Sequence, residues 1–438
     1  MRPYTFAQVC HWLNHIPANA DKMIAGVCVD SRLMQPGQLF FALPGAQVDG
    51  HQYLADVASK ACAAVVSQNY RGEDFGLELI RLPDVLVGLQ TIATRLIESY
   101  SCRIVAITGS IGKTTTKEFT AALLQQKYRV THSPGNSNSQ IGTPLAILNH
   151  TQGNEEVLIL EMGMTHFNQI RKLVQIAPPD IALITTTTLV AGVCNFENLE
   201  EVGLSKAEIF THPKTRLGFL DRQIINFEEL CTIGHCSKRS FSLDSPAADY
   251  RLHVEKGKLK VSDPLGTAQL DKLLVHGAHN LHNFLAAAAI AREIGMEWEE
   301  INARIPHLQL PERRCQRVEK QGIVFINDSY NATLASVKAA LTSMPEPHQG
   351  GKKIAVLGGM VELGKFSEKC HREVLEAALE KVDLLFCFGS EWQAIRPNNW
   401  FMTRKEVVEA LRPHLNAGDV VLLKGSNSKQ TWKVLEEI

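Results

Sequence analysis

The chain has 438 residues, and 45% of them are hydrophobic against 21% charged, so it has enough apolar material for sizeable cores and disorder is excluded as its general state. Lys and Arg number 45 against 46 Asp and Glu, which leaves a net charge of −1 and argues against a general nucleic-acid or polyanion binder. At about 150 residues per domain the length predicts about three domains. The ten cysteines form no Cys-x-x-Cys pair, which suits reduced thiols in a cytoplasm. No run reaches the ~18 apolar residues of a membrane span, and the start of the chain shows no secretory signal, so no membrane association is expected.

Residues 1 to about 98 read as mixed α/β. Val27-Cys28-Val29 and Gln38 to Leu43 are β-rich, the second behind a Pro36-Gly37 turn. Tyr53 to Lys60 has helical spacing and runs into the strand-like Ala63 to Val66. A sharper alternation begins at Arg103. Ile104 to Ile107, Val157 to Leu160 and Ile181 to Ile184 are short apolar runs, separated by helical segments over Lys113 to Gln126 and Phe167 to Gln175. That alternation predicts a parallel sheet with crossover helices. Residues 249–275 read as hairpins, and Leu281 to Ile294 as an Ala-rich helix. Pro306 and Pro311 flank a connector. Beyond it Ile323 to Ile326, Lys353 to Leu357, Leu384 to Phe388 and Val420 to Leu423 predict a second doubly wound unit. The expected boundaries are 1–98, 99–308 and 309–438.

The clearest chemical signal is Gly109-Ser110-Ile111-Gly112-Lys113-Thr114-Thr115-Thr116, between a predicted strand and a predicted helix. Glycines let backbone N–H groups close around phosphate oxygens, and a helix N-terminus favours negative charge. Lys113 is placed to neutralise the β- and γ-phosphates, and the Thr114 hydroxyl to ligate Mg²⁺. Ile107 stands where the longer phosphate-loop pattern has its first glycine, so this is the shorter Gly-x-x-Gly-Lys-Thr form. A Gly-rich turn with a chance lysine is the competing interpretation. The loop alone fits a nucleotide-driven ligase, or a switch or motor that hydrolyses ATP to change partners.

Further segments make the resemblance specific. Asp30-Ser31-Arg32 is followed by Gln35 to Phe40 and Asp49-Gly50-His51. Pro134-Gly135-Asn136-Ser137-Asn138-Ser139-Gln140-Ile141-Gly142 is Asn-rich. His279-Asn280 pairs with Asn283, Asn327-Asp328-Ser329-Tyr330-Asn331-Ala332 follows, and Leu357 to Gly364, His371-Arg372-Glu373 and Lys424-Gly425-Ser426 close the series. In this order, over nearly the whole chain, they resemble the Mur ligases, the ATP-dependent amide-forming enzymes of peptidoglycan assembly.

The resemblance implies three domains: one gripping a UDP-sugar peptide, a central phosphate-loop ATPase-like parallel sheet, and a C-terminal Rossmann-like domain for the incoming amine. It implies ligation of D-Ala-D-Ala to UDP-MurNAc-tripeptide, with the tripeptide carboxylate phosphorylated by ATP before the amine attacks. A sibling ligase adding one amino acid, or a folylpolyglutamate-type ligase, is the near alternative; Asp328 to Ala332 favours the dipeptide branch. A monomer in the cytoplasm is expected.

By the same resemblance, Ser110, Ile111, Gly112, Lys113, Thr114 and Thr115 hold the triphosphate with Gly109. Glu161 is a Mg²⁺ ligand, otherwise a solvated strand-end carboxylate. Lys206 is a lysine carbamylated by CO₂ that helps hold a second Mg²⁺, which requires a neutral amine and hence burial. Asn280 and Asn283 read the adenine edge or else brace their helix, and Asp328 takes the ribose hydroxyls. Arg314 meets the γ-phosphate, with Arg313 a rival. Ser31 and Arg32 meet the uridine nucleotide, and Asn136 and Asn138 the muramoyl-peptide, unless they only form a turn. Two departures stand out. The stretch Thr185 to Gly192 lacks the Asn and the metal-binding His expected there, and Gly359 replaces a more usual Asp, leaving Glu362 and His371 as candidates. Cys231, His235 and Cys236 are too few for a metal site without a second pair.

Overall fold

The computed structural model describes residues 4–45, 48–188, 195–275, 277–348 and 350–438. Three separate sheets organise the chain. The first has four strands, Gly26–Cys28, Gln38–Phe41, Ala63–Ser67 and Leu79–Leu82, all parallel and in chain order. Only Leu54–Val57 of the expected helix at 53–60 is α-helical. The turn before it, Gly50–Tyr53, is a tighter 3₁₀ turn capped by Asp49, whose carboxylate accepts from the His51 N–H.

The long helix Val85–Glu98 joins this sheet to the next. Asp84 caps it by accepting from the Val87 N–H, and its buried stripe of Val85, Leu89, Ile92, Ala93, Leu96 and Ile97 has the period of an amphipathic helix. That stripe belongs to one continuous core with Phe41 and Val65 of the first sheet and Leu158 and Leu160 of the second. Asn149 makes a reciprocal pair with the backbone of Val27, its Oδ1 accepting at 3.0 Å and its Nδ2 donating at 2.9 Å. Shared apolar burial of this extent, at about 25 cal/mol per Å², holds the first two sheets together.

The second sheet has nine strands. Three strands of the expected α/β alternation, Val157–Glu161, Arg103–Thr108 and Ile181–Ile184, are parallel, and three that were not read from the sequence, Val130–His132, Leu217–Asp221 and Ser237–Ser242, extend them in the same sense. The strands Tyr250–Glu255, Lys258–Asp263 and Gly266–Leu270 then form an antiparallel meander, where hairpins were read from the sequence. Helix Ala278–Ile294 packs against helix Lys113–Leu124 through Ala286, Ala287, Ala288 and Ala289, all fully buried. Small side chains let the two helices approach closely, which brings Asn283 up behind the phosphate loop.

The third sheet runs Gln316–Lys320, Ile323–Asn327, Val420–Lys424, Lys353–Gly358, Leu384–Phe388 and Trp400–Phe401. Its first strand is antiparallel and the others parallel. Cores lie on both faces, as in a doubly wound unit. Among the described residues no helix is long and apolar enough to cross a membrane, and the nine described cysteines are free.

Candidate active site

The phosphate-loop segment lies where a strand hands over to a helix. Strand Arg103–Thr108 ends, the loop turns through Gly109 (φ 147°) and Gly112 (φ 85°), and helix Lys113–Leu124 begins. Both glycines are required. A Cβ on Gly109 would run into the Thr185 hydroxyl, and one on Gly112 into the Asn283 amide oxygen. Thr185 Oγ1 donates 2.6 Å to the Ile111 carbonyl, and Ser110 exchanges hydrogen bonds with the backbone of Thr186 and Thr188. The described part of the Thr-rich stretch is therefore the wall that shapes the loop. Leu189 to Gly192 lie outside the described residues.

Beside the loop is a cavity of about 370 Å³. It is lined by Ser110 to Thr115, Asn136, Asn138, Glu161, Asp221, His279, Asn280, His282 and Asn283 from the central sheet and its helices. Arg314, Cys315, Asp328, Tyr330, Asn331 and Lys424 line it from the third sheet. Two domains thus share one cavity.

Its hard-oxygen corner is tightly organised. Thr114 Oγ1 donates 2.8 Å to Glu161 Oε2, and Asn138 Nδ2 donates 2.6 Å to Glu161 Oε1. Glu161 ends strand Val157–Glu161, at the carboxyl edge where parallel sheets present ligand groups, and is buried. From the other domain, Arg314 Nη2 donates 3.0 Å to Thr114 Oγ1. The Arg314 guanidinium lies 4.2 Å over the Tyr330 ring, and its Nε is buried without a partner. Arg313 instead stacks 3.9 Å over Trp432 and does not line the cavity.

The site is rich in cations that burial disfavours. Burial holds the Lys113 ammonium below its usual range, and the Arg314 charge adds to that while Glu161 opposes it. Lys113 donates 2.9 Å to the Gly109 carbonyl. Lys206, on helix Leu199–Ala207, is 3% exposed and its pKa is lowered well below the ordinary value, chiefly by burial and then by the Lys113 charge. It does not line the cavity, but stands near enough to feel Lys113.

Across the cavity, Lys424 Nζ is 2.5 Å from Asp328 Oδ2, and Asp328 Oδ1 accepts from the Cys315 N–H at 3.1 Å. Burial and the Asp328 charge push the Cys315 thiol up to about 12. Asn280 and Asn283 sit in the first turns of helix Ala278–Ile294, which begins earlier than Leu281 and is not capped by either side chain; Asn283 Oδ1 accepts from Thr116 at 3.4 Å.

Other expected residues lie elsewhere. Ser31 and Arg32 form a 3₁₀ turn capped by Asp30 in the first domain, away from this cavity; Arg32 pairs with Asp30 at 2.6 Å and its side chain is 85% exposed. His371 is buried, with Nε2 accepting from the Met360 N–H and Nδ1 facing the Ser367 carbonyl at 2.7 Å, so it braces backbone. Glu362 is exposed and outside the cavity. Gly359 has no room for a side chain, since a Cβ there would meet Glu391, which pairs with Lys429 at 2.6 Å. Among the described residues no three His, Cys, Asp or Glu side chains gather as a metal site, and Cys236 Sγ instead lies 3.1 Å from Lys238 Nζ.

Sequence reading assigned no role to Asp221, His282 or Lys424. Asp221 ends a strand that was not predicted, and His282 Nε2 lies 3.1 Å from its carboxylate. The signal available was a carboxylate closing an apolar run, Leu217 to Asp221.

Comparison with known proteins agrees with this geometry. Residues 107–291 match the Mur ligase middle domain, 313–427 the glutamate ligase domain of Mur ligases, and 23–73 the Mur ligase family catalytic domain. The UDP-N-acetylmuramoyl-tripeptide--D-alanyl-D-alanine ligase of Escherichia coli (strain K12) is 30% identical over 99% of this chain and 98% of its own. The crystal structure of MurF from Acinetobacter baumannii has the same fold, with a TM-score of 0.86 at 23% identity, covering 100% of this chain and 99% of its own. MurF ligase from Thermotoga maritima, solved in complex with ADP, is 25% identical with a TM-score of 0.78, covering 95% of this chain and 97% of its own. With three domains of this fold, a shared phosphate-loop cavity and that full-length likeness, the chain belongs to the Mur ligase family.

Proposed function

We propose that this chain joins D-alanyl-D-alanine to the terminal carboxylate of UDP-N-acetylmuramoyl-tripeptide in an ATP-driven ligation that releases ADP and phosphate. The observation that carries the reading is the meeting of Thr114 and Glu161 with Arg314, an arginine 200 residues further along the chain, in a cavity beside Lys113.

A carboxylate is a poor electrophile. One of its oxygens attacks the γ-phosphorus, the bond to the β-phosphate oxygen breaks, and ADP leaves. The dipeptide amine then attacks the acyl carbon, phosphate departs, and the amine gives up a proton. The first step brings two anions together, so electrostatic compensation dominates catalysis. Lys113 and the backbone N–H groups of Ser110 to Thr115 hold the β- and γ-phosphates. Arg314, delivered from the third sheet, lies against the charge that builds on the transferred group. Asn280 and Asn283 face the base and Asp328 the ribose, within the same cavity. Closure of the domains keeps water from the acyl phosphate.

The donor set suits Mg²⁺: a hydroxyl and a carboxylate are hard oxygen ligands, and this ion is usually held by one or two protein groups plus phosphate and water. Thr114 and Glu161 are the residues that would hold it. When bound, it would supply positive charge to offset the phosphates. Lys206 fits carbamylation, because a buried amine that is readily neutral can add CO₂ and release a proton; the carbamate would help hold a second ion.

In this reading Ser31 and Arg32, whose side chain is exposed, take the uridine end, and Asn136 and Asn138 the muramoyl-peptide. The domain spans 1–98, 99–308 and 309–438 go with the UDP-sugar peptide, ATP and the dipeptide. A monomer working in the cytoplasm, where ATP is available, goes with this reading.

Phosphate release is the test, with purified protein, tripeptide precursor, ATP and each candidate amine in turn. Release that requires D-Ala-D-Ala supports the reading. Release with a single amino acid or glutamate would move the chain to a sibling ligase, and release with no amine to a nucleotide-hydrolysing switch.

A further inference from the structure

Helix Lys113–Leu124 carries a second lysine one turn beyond the phosphate-loop lysine. Lys117 is completely buried, and its ammonium donates to two backbone carbonyls and pairs with one carboxylate. These are the Ser133 carbonyl at 2.5 Å, the Gly135 carbonyl at 2.8 Å and Glu118 Oε1 at 3.0 Å. Both carbonyls belong to the start of the Asn-rich turn, where Gly135 has φ 50° and the Ser137 N–H donates to Pro134. The same turn grips the end of the Glu161 strand. Ser133 Oγ accepts from the Glu161 N–H at 3.1 Å, the Gly163 N–H donates 2.7 Å to the Asn138 carbonyl, and Asn138 Nδ2 donates to the Glu161 carboxylate. Glu161 in turn accepts from Thr114, on the helix that carries Lys117. A closed ring results: helix, ammonium, turn, amide, carboxylate, helix.

Building on the ligase reaction proposed above, we propose that Lys117 is a positioning residue: it pins the turn 133–138 to the phosphate-loop helix and so sets Asn138 and Glu161 against the transferred phosphate and the muramoyl-peptide. A buried ammonium suits this task. Its donors are fixed by the acceptors around it, and the ammonium itself is shut off from water. Lys117 lies outside the cavity lining.

The experiment compares the full chain with Lys117→Gln, which keeps a donor, and Lys117→Met, which keeps none. Steady-state rates are measured against precursor, ATP and Mg²⁺, ADP binding by calorimetry, and amide hydrogen exchange across the chain. The expected result is a rise of roughly ten- to a hundredfold in the precursor KM and in the Mg²⁺ needed for half-maximal rate, the scale seen when supporting partners of ligand residues are lost. ADP affinity stays within about twofold, as for an independent site. Faster exchange is confined to residues 133–138 and the Glu161 amide, with Lys117→Gln intermediate. A fall in kcat with both constants unmoved, an equal loss of ADP affinity, exchange that rises throughout the central domain, or failure of both variants to fold would overturn the proposal. Hydrogen exchange does not depend on the reaction: a wild-type chain inactive toward D-Ala-D-Ala would refute the ligase reading alone, and unchanged exchange in the variants the positioning role alone.

Discussion

Four lysines stand at or near the cavity, Lys117, Lys206 and Lys424 buried and Lys113 half-buried, and they divide into two kinds. Lys117 and Lys424 are held by close partners, the first by hydrogen bonds to two carbonyls and an ion pair with Glu118, the second by Asp328 Oδ2 and the carbonyls of Asp328 and Asn331. Lys113 and Lys206 have no carboxylate within ion-pair distance among the described residues, and burial lowers the pKa of both. A buried charge without a partner costs several kcal/mol. The fold tolerates that at the phosphate loop and avoids it one turn further along the same helix. Cations left short of counter-charge belong to a site that receives an anion; cations paired with a carboxylate and held by carbonyls brace the walls.

The comparison breaks most clearly at Lys113. Lys113→Ala should lower kcat by roughly a thousandfold or more, the upper range for loss of one preorganised donor, while leaving the fold intact because no buried carboxylate is left without its counter-charge. A phosphate-release assay with a circular dichroism control checks both halves, and an unimpaired enzyme would remove the phosphate-loop assignment.

Arg314→Lys should follow, at roughly a hundredfold in kcat with little change in ADP affinity, since a point charge cannot reproduce the fork that reaches Thr114 while stacked on Tyr330. Arg313→Lys, whose side chain lies on Trp432, serves as the control and should stay near wild type.

Lys206 sharpens the difference in two ways. Lys206→Ala should lose activity that added short carboxylates partly restore, and normal activity without rescue would discard the carbamate. Its stability has a definite sign. The folded pKa lies below the unfolded one, so the folded chain binds fewer protons and loses stability as pH falls from about 10.4 toward the folded value. Without CO₂, Lys206→Met should therefore be more stable than wild type at neutral pH, and the gain should shrink as pH approaches 10. Thermal unfolding across that range reads it out.

The smallest effect belongs to the satisfied class. Lys424→Met removes one member of a buried pair and strands the Asp328 carboxylate, costing about 3 kcal/mol of stability. Denaturant unfolding measures it. A loss confined to catalysis would instead mean that Lys424 acts on substrate.

Much of this was legible beforehand. The strands Val157–Glu161, Ile181–Ile184 and Leu384–Phe388 were visible because buried parallel strands are short, uninterrupted apolar runs. Leu217–Asp221 and Ser237–Ser242 were missed, since Gly218 and the polar Ser237 to Ser240 interrupt that signature. Helix Val85–Glu98 was overlooked although Asp84 is a plain N-cap signal, and it turned out to weld the first two domains together. The helix expected near residue 53 contracted to a turn around Asp49 and His51, a local hydrogen-bonding preference that outweighed helical spacing.

Sequence alone determined the phosphate loop, its lysine and its family, because a loop that wraps an anion with its own backbone needs glycines, a cation and a hydroxyl at fixed neighbouring positions. Only the tertiary structure brought Arg314 rather than Arg313 to the cavity, joined Asn138 to Glu161 and separated the paired lysines from the unpaired. Those outcomes depend on which side chains meet across distant segments, and on how little water remains between them, and neither property is written in local order along the chain.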